Sequence, residues 1–284
     1  MEMVVVIMGP TGSGKSRLSI DLATRFNGEV INSDKIQVYK GLNITTNKIP
    51  VEEQLGVPHH LLGEVDSLSH PNDFSAVQFR SHASHVITDI VSRGKLPFIV
   101  GGSNSFIYAL LAANYSPDSD PFSGSEPVCT ELRYKCCFLW VDVSVPVLDE
   151  YLKKRVDEMV DSGMIDELAK YYESEINEWK PETGIRKSIG VPEFEHYFKN
   201  GLDEEGSDGY KDAAVKAVKD NTCRLAKTQV GKILRLRGGG WGLHRLDGTD
   251  AFRAVLEGSQ CWSDVWKRDV VEPSVKLVKH FLEE

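Results

Sequence analysis

The chain has 284 residues, 41% of them hydrophobic and 26% charged, with a net charge of −9 at pH 7. That composition is ordinary for a globular protein. No run approaches the ~18 apolar residues of a membrane span, and the acidic balance argues against a protein built mainly to grip a nucleic-acid backbone, while leaving room for a local basic patch.

Met3-Val4-Val5-Val6-Ile7-Met8 is an apolar, β-branched run that predicts a buried parallel strand. Gly9-Pro10-Thr11-Gly12-Ser13-Gly14-Lys15-Ser16 follows and reads G-x-x-x-x-G-K-[ST]. A helix is predicted from Lys15 to Phe26, with Leu18, Ile20, Leu22, Ala23 and Phe26 on its apolar face. Strand, glycine loop and helix together make a P-loop, whereas a chance glycine turn needs no such flanks. The glycines let successive N–H groups turn inward, and the helix N-terminus adds partial positive charge. Lys15 supplies a point charge, and the Ser16 hydroxyl is placed to ligate Mg²⁺. The first strand starts almost at Met1, so no signal or transit peptide is expected.

Gly28 to Asp34 predicts a second strand with a polar end. In a parallel α/β sheet, strand ends beside the P-loop line the ligand crevice, so Asp34 is expected to face the phosphate site. The alternative is an N-cap or turn aspartate. The stretch from Lys35 to Lys48 reads as a loop, and His59-His60 lacks a third metal ligand and reads as structural. Pro71-Asn72-Asp73 is expected to cap a helix from about Phe74 to Arg93, with Val77, Ile87, Ile90 and Val91 on its apolar side. Lys95 to Val100 is a third buried strand, ending in Gly101-Gly102-Ser103 ahead of a helix from about Ser105 to Ala113. A nucleotide hydrolase would carry an acidic Mg²⁺ residue at such a strand end. Two glycines there favour close backbone approach to a ligand instead.

Asn114 to Pro127 reads as a surface loop, and Cys136 to Val143 as a fourth strand. Asp142 gives that strand a weak acidic ending. Pro146 opens a helix through Ser162, with Lys154 and Arg155 close to its apolar stripe. Met164 to Glu178 is an acid-rich helix expected on the outside. A basic turn at Arg186-Lys187 precedes a helix from Pro192 to Asn200, and Gly201 to Gly209 is an acidic break. A long helix is predicted from about Tyr210 to Arg237, on which Lys216, Lys219, Arg224 and Lys227 fall within roughly a 140° arc. That stripe is either a solvated face or a polyanion contact. Trp241 to Leu246 reads as one more strand, and the remainder as two short packing helices. Five cysteines without C-x-x-C spacing point to reduced thiols and no zinc site.

The expected fold is therefore α/β: a P-loop NTPase-like parallel sheet flanked by helices, with a smaller helical domain. The divisions are 1–145 for the core, with a strand returning from 241–247, then 146–240 for the helical domain and 248–284 for the C-terminal packing helices. A carboxylate beside a phosphate cradle suits transfer chemistry, because it can accept a proton from a nucleophile while the cradle holds the group that leaves.

The P-loop, Asn32-Ser33-Asp34-Lys35-Ile36-Gln37-Val38-Tyr39, His59-His60-Leu61, Val100-Gly101-Gly102-Ser103 and Arg224-Leu225-Ala226-Lys227 with Gln229 resemble the dimethylallyltransferases that prenylate the adenine N6 amine. The likeness runs to about Arg237. The family has a tRNA branch and a free-nucleotide branch. Where the tRNA branch carries a helical insertion this chain has only the short loop at 114–130, and the stretches Ser103 to Tyr108 and Ile185 to Phe194 resemble the plant adenylate isopentenyltransferases, which begin cytokinin synthesis.

The resemblance implies these roles. Gly9, Thr11, Gly12, Ser13, Gly14, Lys15 and Ser16 hold the diphosphate of dimethylallyl diphosphate, with Ser103 and Arg155 on the same group and Mg²⁺ on Ser16. Asp34 is the base, and Thr11, Lys15 and Arg155 act with it in catalysis. Ser33, Asp34, Gln37, Lys187, Arg224 and Lys227 meet the acceptor ATP, ADP or AMP, with ATP and ADP preferred, which makes 146–240 the acceptor-binding domain. A monomer that uses no tRNA and no membrane, in a reducing compartment such as the plastid stroma or cytosol, is expected. The rival readings are a tRNA dimethylallyltransferase, a small-molecule P-loop kinase with Asp34 as base, and a nucleotide-regulated binding protein without turnover.

Overall fold

A computed structural model describes residues 1–67, 73–124, 126–175, 184–200 and 207–284. The expected cap residues Pro71 and Asn72, the end of the acid-rich helix beyond residue 175 and most of the acidic break lie outside these residues.

The strands are β1 (Met3–Met8), β2 (Gly28–Asn32), β3 (His59–His60), β4 (Leu96–Val100), β5 (Lys135–Asp142) and β6 (Leu243–Asp247). They form one parallel sheet in the order β3-β2-β4-β1-β5-β6. The helices are α1 (Lys15–Arg25), α2 (Ala76–Ser92), α3 (Asn104–Leu111), α4 (Val145–Asp161), α5 (Met164–Glu175), α6 (Val191–Asn200), α7 (Ser207–Gly238), α8 (Thr249–Leu256), α9 (Trp262–Trp266) and α10 (Glu272–Glu283). The architecture is the expected P-loop NTPase-like sheet flanked by helices.

Successive strand side chains point to opposite faces, and β1 divides its residues accordingly. Val4, Val6 and Met8 enter one core with Phe79 and Ile87 of α2, Phe106 of α3 and Ile233 and Leu236 of α7. Val5 and Ile7 enter the other with Leu18 and Leu22 of α1, Leu148 and Leu152 of α4 and Trp266. Burial on both faces is why β1 reads as an unbroken apolar run.

Register decides where the site lies. Val100 of β4 is paired with Ile7 of β1 on one side and with Asn32 of β2 on the other. The P-loop, the Gly-Gly turn and Asp34 therefore leave three adjacent strands at one level. β4 separates β1 from β2, so Gly101 and Gly102 stand between the cradle and Asp34.

Several local expectations need correction. The N-cap of α2 is Ser75: its hydroxyl accepts from Gln78 N at 3.2 Å, and Gln78 Oε1 accepts from Ser75 N at 2.9 Å, a reciprocal capping box. Asp73 instead accepts from Gly184 N at 2.7 Å. Val77 is 47% exposed, not on the buried face. Helix α5 buries Met164 and Leu168, and its Glu167 accepts from Ile44 N, Thr45 N and Thr45 Oγ1 at 2.7–3.0 Å, so an acid expected in solvent pins the loop after β2. The C-terminal region is α8 plus a continuous helical run, α9 and α10 joined by a π turn at Lys267–Val271. His60 is structural as expected, its Nε2 lying 2.8 Å from the buried Glu29 carboxylate.

Candidate active site

The cradle is built by β1, α1 and α4. Gly9, Gly12 and Gly14 have φ of 156°, 79° and 89°, a region that favours glycine. Space is as restrictive as φ: a Cβ on Gly12 would lie 2.5 Å from Leu152 Cδ2, and one on Gly14 2.5 Å from Trp266 Cη2. Helix α4 thus rests on the loop through Leu152, and places Arg155 one turn further along the same face. Arg155 Nη2 donates to Thr11 Oγ1 at 3.2 Å. Its Nε is buried without a hydrogen-bond partner among the described residues, as is Ser13 Oγ.

Lys15 is buried and donates from Nζ to Pro10 O at 2.6 Å. Burial pulls its ammonium down to about 7; Asp34 opposes this and Arg155 adds to it. Burial also lowers Arg155, and two cations enclosed side by side make a site suited to an anionic group. Ser16 is exposed and lines a cleft of about 1210 Å³ together with Asn47, Lys48 and Arg155. Lys48 donates to Gly41 O at 2.7 Å and to Thr46 Oγ1 at 2.9 Å, and burial lowers it to about 8 against the pull of Glu167 and Asp34. Lys48 escaped sequence reasoning because a lone lysine in a loop carries no spacing signal.

Asp34 combines the two readings the sequence allowed. Its Oδ1 accepts from Ile36 N at 2.9 Å and Gln37 N at 3.3 Å, as a turn aspartate does, and the carboxylate still acts electrostatically on Lys15 and Lys48. Ser33 is fully buried beneath Gly101, where a Cβ would lie 2.5 Å from Ser33 Oγ. Ser103 Oγ accepts from Lys35 N at 2.9 Å, joining the β4 and β2 strand ends. Gln37 is a loop clamp in this conformation: its Nε2 donates to Thr46 O and Asn47 O, both at 3.0 Å.

The basic stripe of α7 is neither wholly solvated nor wholly free. Lys219 pairs with Asp157 at 2.6 Å and Lys227 with Asp149 at 2.7 Å, both acids on α4. The two pairs are eight residues apart on each helix, so they repeat along the α4–α7 contact. Arg224 is exposed and donates to Asn221 Oδ1 at 3.1 Å, and Lys187 pairs with Asp73 at 2.5 Å. Asp142, the weak acidic strand end, pairs with Arg245 at 2.6 Å. Gln229, which the sequence marks only as part of a resembling motif and without a role, also reaches the cradle: its Oε1 accepts from Thr11 N at 2.7 Å.

Among the described residues, no three His, Cys, Asp or Glu side chains gather to hold a metal, and no helix is long and apolar enough to cross a membrane.

Comparison with known proteins gives one answer. The family model described as IPP transferase matches residues 37–125 and 117–232. The chain is 53% identical to an adenylate isopentenyltransferase of Humulus lupulus, covering 98% of this chain and 90% of the relative. It is 52% identical to the chloroplastic adenylate isopentenyltransferase 1 of Arabidopsis thaliana, covering 99% and 81%. Among solved structures, a eukaryotic dimethylallyltransferase acting on tRNA matches with a TM-score of 0.80 at 26% identity, over 100% of this chain and 80% of that one. A full-length tRNA isopentenylpyrophosphate transferase of Bacillus halodurans matches with a TM-score of 0.70 at 28% identity, over 99% and 100%. With an enclosed arginine and lysine at the cradle and a Gly-Gly turn rather than an acid at the end of β4, and with this similarity over nearly its whole length, the chain belongs to the IPP transferase family, among the adenylate isopentenyltransferases.

Proposed function

We propose that this protein transfers a dimethylallyl group from dimethylallyl diphosphate to the N6 amine of a free adenine nucleotide, releasing diphosphate, the step that opens cytokinin synthesis. The observation that carries this reading is the joint placement of Lys15, Thr11 and Arg155 around a cationic cradle, with Asp34 two strands away at the same level. The names of the similar plant proteins support a free nucleotide as acceptor.

The loop N–H groups, Lys15 and Arg155 hold the diphosphate, and the orphaned Arg155 Nε finds its acceptor there. Thr11 Oγ1, oriented by Arg155, faces the leaving oxygen. The N6 amine is a weak nucleophile because its lone pair is delocalised into the ring, so position and base assistance both count. The Asp34 carboxylate accepts a hydrogen bond from N6–H and then the proton, as nitrogen bonds to the allylic C1 and the C1–O bond breaks. Cations aimed at the departing diphosphate lower the barrier by several kcal/mol, on the order of other preorganised anion sites.

The residues fit Mg²⁺ held largely by substrate and water: Ser16 is exposed at the cleft, and a protein-only cage is not needed when phosphate oxygens contribute. Mg²⁺ on Ser16 and the diphosphate would supply further charge neutralisation to the leaving group. Lys187 and Arg224, with Lys227 once it leaves Asp149, are assigned to the acceptor's phosphates. Ser33 and Gln37 reach the nucleotide only if Gly101 and the 46–47 loop move. ATP or ADP is then preferred to AMP. The cysteines at 129, 136, 137, 223 and 261 are free thiols, in keeping with a reducing compartment, the plastid stroma or cytosol.

The test supplies dimethylallyl diphosphate with AMP, ADP, ATP or an adenosine-containing tRNA anticodon stem, and follows products by mass spectrometry. N6-dimethylallyl nucleotides with the γ-phosphate intact are expected. Prenylation confined to the tRNA stem, or phosphoryl transfer from ATP, overturns the reading.

A further inference from the structure

One neutral side chain joins the cradle to the helical region. Gln229 of α7 is 6% exposed, and its Oε1 accepts from Thr11 N at 2.7 Å across 218 residues of chain. Its Nε2 lies against Gly102, where a Cβ would approach to 2.3 Å. Its backbone carbonyl accepts from Asn104 Nδ2 at 3.2 Å, at the start of α3. Gln229 thus touches the loop after β1 and the turn after β4 at the same time.

The Thr11 N–H belongs to the run of loop donors that an anion recruits. Bonded to Gln229, this N–H is turned toward α7, and the peptide orientation is set by a buried amide. The side chain of Thr11 then emerges toward Arg155, whose Nη2 donates to its hydroxyl at 3.2 Å. Two residues from different helices therefore fix Thr11, one by its peptide and one by its hydroxyl. A buried donor left without its acceptor would reorient or recruit water. Glycine at 102 is part of the arrangement, because any side chain there would occupy the position of the Gln229 amide.

We infer that Gln229 is a positioning residue for the transfer reaction: it fixes the Thr11 peptide of the diphosphate cradle to α7, so that the Thr11 hydroxyl is aimed only while α7 is docked. Because α7 also carries Arg224 and Lys227, the donor cradle and the acceptor-side helix form one mechanical unit. The inference rests on the proposed prenyl transfer for its kinetic consequence, and on geometry alone for its effect on the Thr11 amide.

The test uses the full chain with Gln229→Leu, Gln229→Glu, Thr11→Ala and the double variant Thr11→Ala/Gln229→Leu. In ¹⁵N-labelled protein, the Thr11 amide is expected to resist hydrogen exchange in the wild type and in Gln229→Glu, which keeps the acceptor oxygen, and to lose that protection in Gln229→Leu. In turnover, Gln229→Leu is expected to lose about 10²-fold in kcat, the scale of a misplaced reacting group, with KM for the adenine nucleotide unchanged. The double variant is expected to be no slower than Thr11→Ala alone, because the glutamine acts through Thr11. Unchanged Thr11 protection in Gln229→Leu, or a double variant slowed by the product of the two single effects, overturns the inference. If Gln229→Leu does not fold, Gln229→Glu decides: retained Thr11 protection with weaker inorganic pyrophosphate binding, through charge repulsion, supports the inference, and lost protection overturns it. Absence of prenyl transfer in the wild type defeats the proposed function and leaves the exchange measurement to judge Gln229.

Discussion

The indole of Trp266 lies over Gly14, so close that a Cβ on the glycine would fall 2.5 Å from Cη2 and 3.1 Å from Cζ3. Gly14 also has φ of 89°. The helix that follows β6 by a long excursion thus forms the outer wall of a loop made by the first strand. Immediately after Trp266, the helix widens into a π turn at Lys267–Val271, a distortion that shifts the register of the side chains beyond it.

Gly14→Ala is therefore expected to abolish diphosphate binding, since backbone strain and the indole both oppose the new methyl group. Trp266→Ala is expected to cost about 3–5 kcal/mol of stability, as for other large-to-small aromatic changes in a core. Calorimetric titration with pyrophosphate checks the first, and denaturant unfolding the second.

Asp34→Asn is expected to lose prenyl transfer by at least about 10²-fold, the usual contribution of a general base. Its amide oxygen can still accept from Ile36 N and Gln37 N, so the turn and the diphosphate affinity should persist. Single-turnover kinetics beside pyrophosphate titration separates the two. Near-normal turnover in this variant would remove Asp34 from the mechanism.

Glu29 sets an acid limit on stability. Its buried carboxylate is held well below the usual carboxylate range, first by the hydrogen bond from Arg93, with Lys95 and His60 adding to it and burial opposing. A depressed folded pKa means that the stabilisation is complete above the unfolded value of 4.5 and is lost as pH falls from there toward the folded value. Glu29→Ala is expected to lose about 3 kcal/mol at pH 7, because Arg93 and Lys95 lose their shared carboxylate and His60 a hydrogen-bond partner. Its Tm should converge with that of the wild type as the pH drops below 4.5, which thermal melts across pH will show.

Asp149→Asn releases Lys227 from its 2.7 Å pair. If Lys227 serves the acceptor's phosphates, this variant should lower KM for ATP by a few-fold and leave KM for AMP alone. Arg224→Ala should do the reverse for ATP. Identical responses with both nucleotides would confine Lys227 to the α4–α7 contact.

Much of this molecule was legible along the chain. The P-loop is local chemistry: glycines at fixed spacing, a lysine, a hydroxyl, and a strand and helix on either side. Buried parallel strands announce themselves because both faces are apolar, as in β1 and β4. Asp34 was legible because strand ends near a P-loop converge. Arg155 was suggested by its place beside the apolar stripe of α4, and its role by resemblance.

Other features required the fold. Gln229 stands in a resembling motif, but its contact with Thr11 spans 218 residues, which no local spacing announces. Ser33, Gln37 and Ser103 are polar residues next to the site, yet each is sealed beneath Gly101 or bonded within loops, which only packing reveals. The α7 lysines formed a stripe in sequence, but the acids that meet them lie on α4. The sequence by itself determined the strand–glycine-loop–helix cradle and the carboxylate near it, because those depend on residue type and short spacing. Tertiary structure decided which polar groups remain available for substrate, because buried donors and acceptors take the partners that distant elements bring to them.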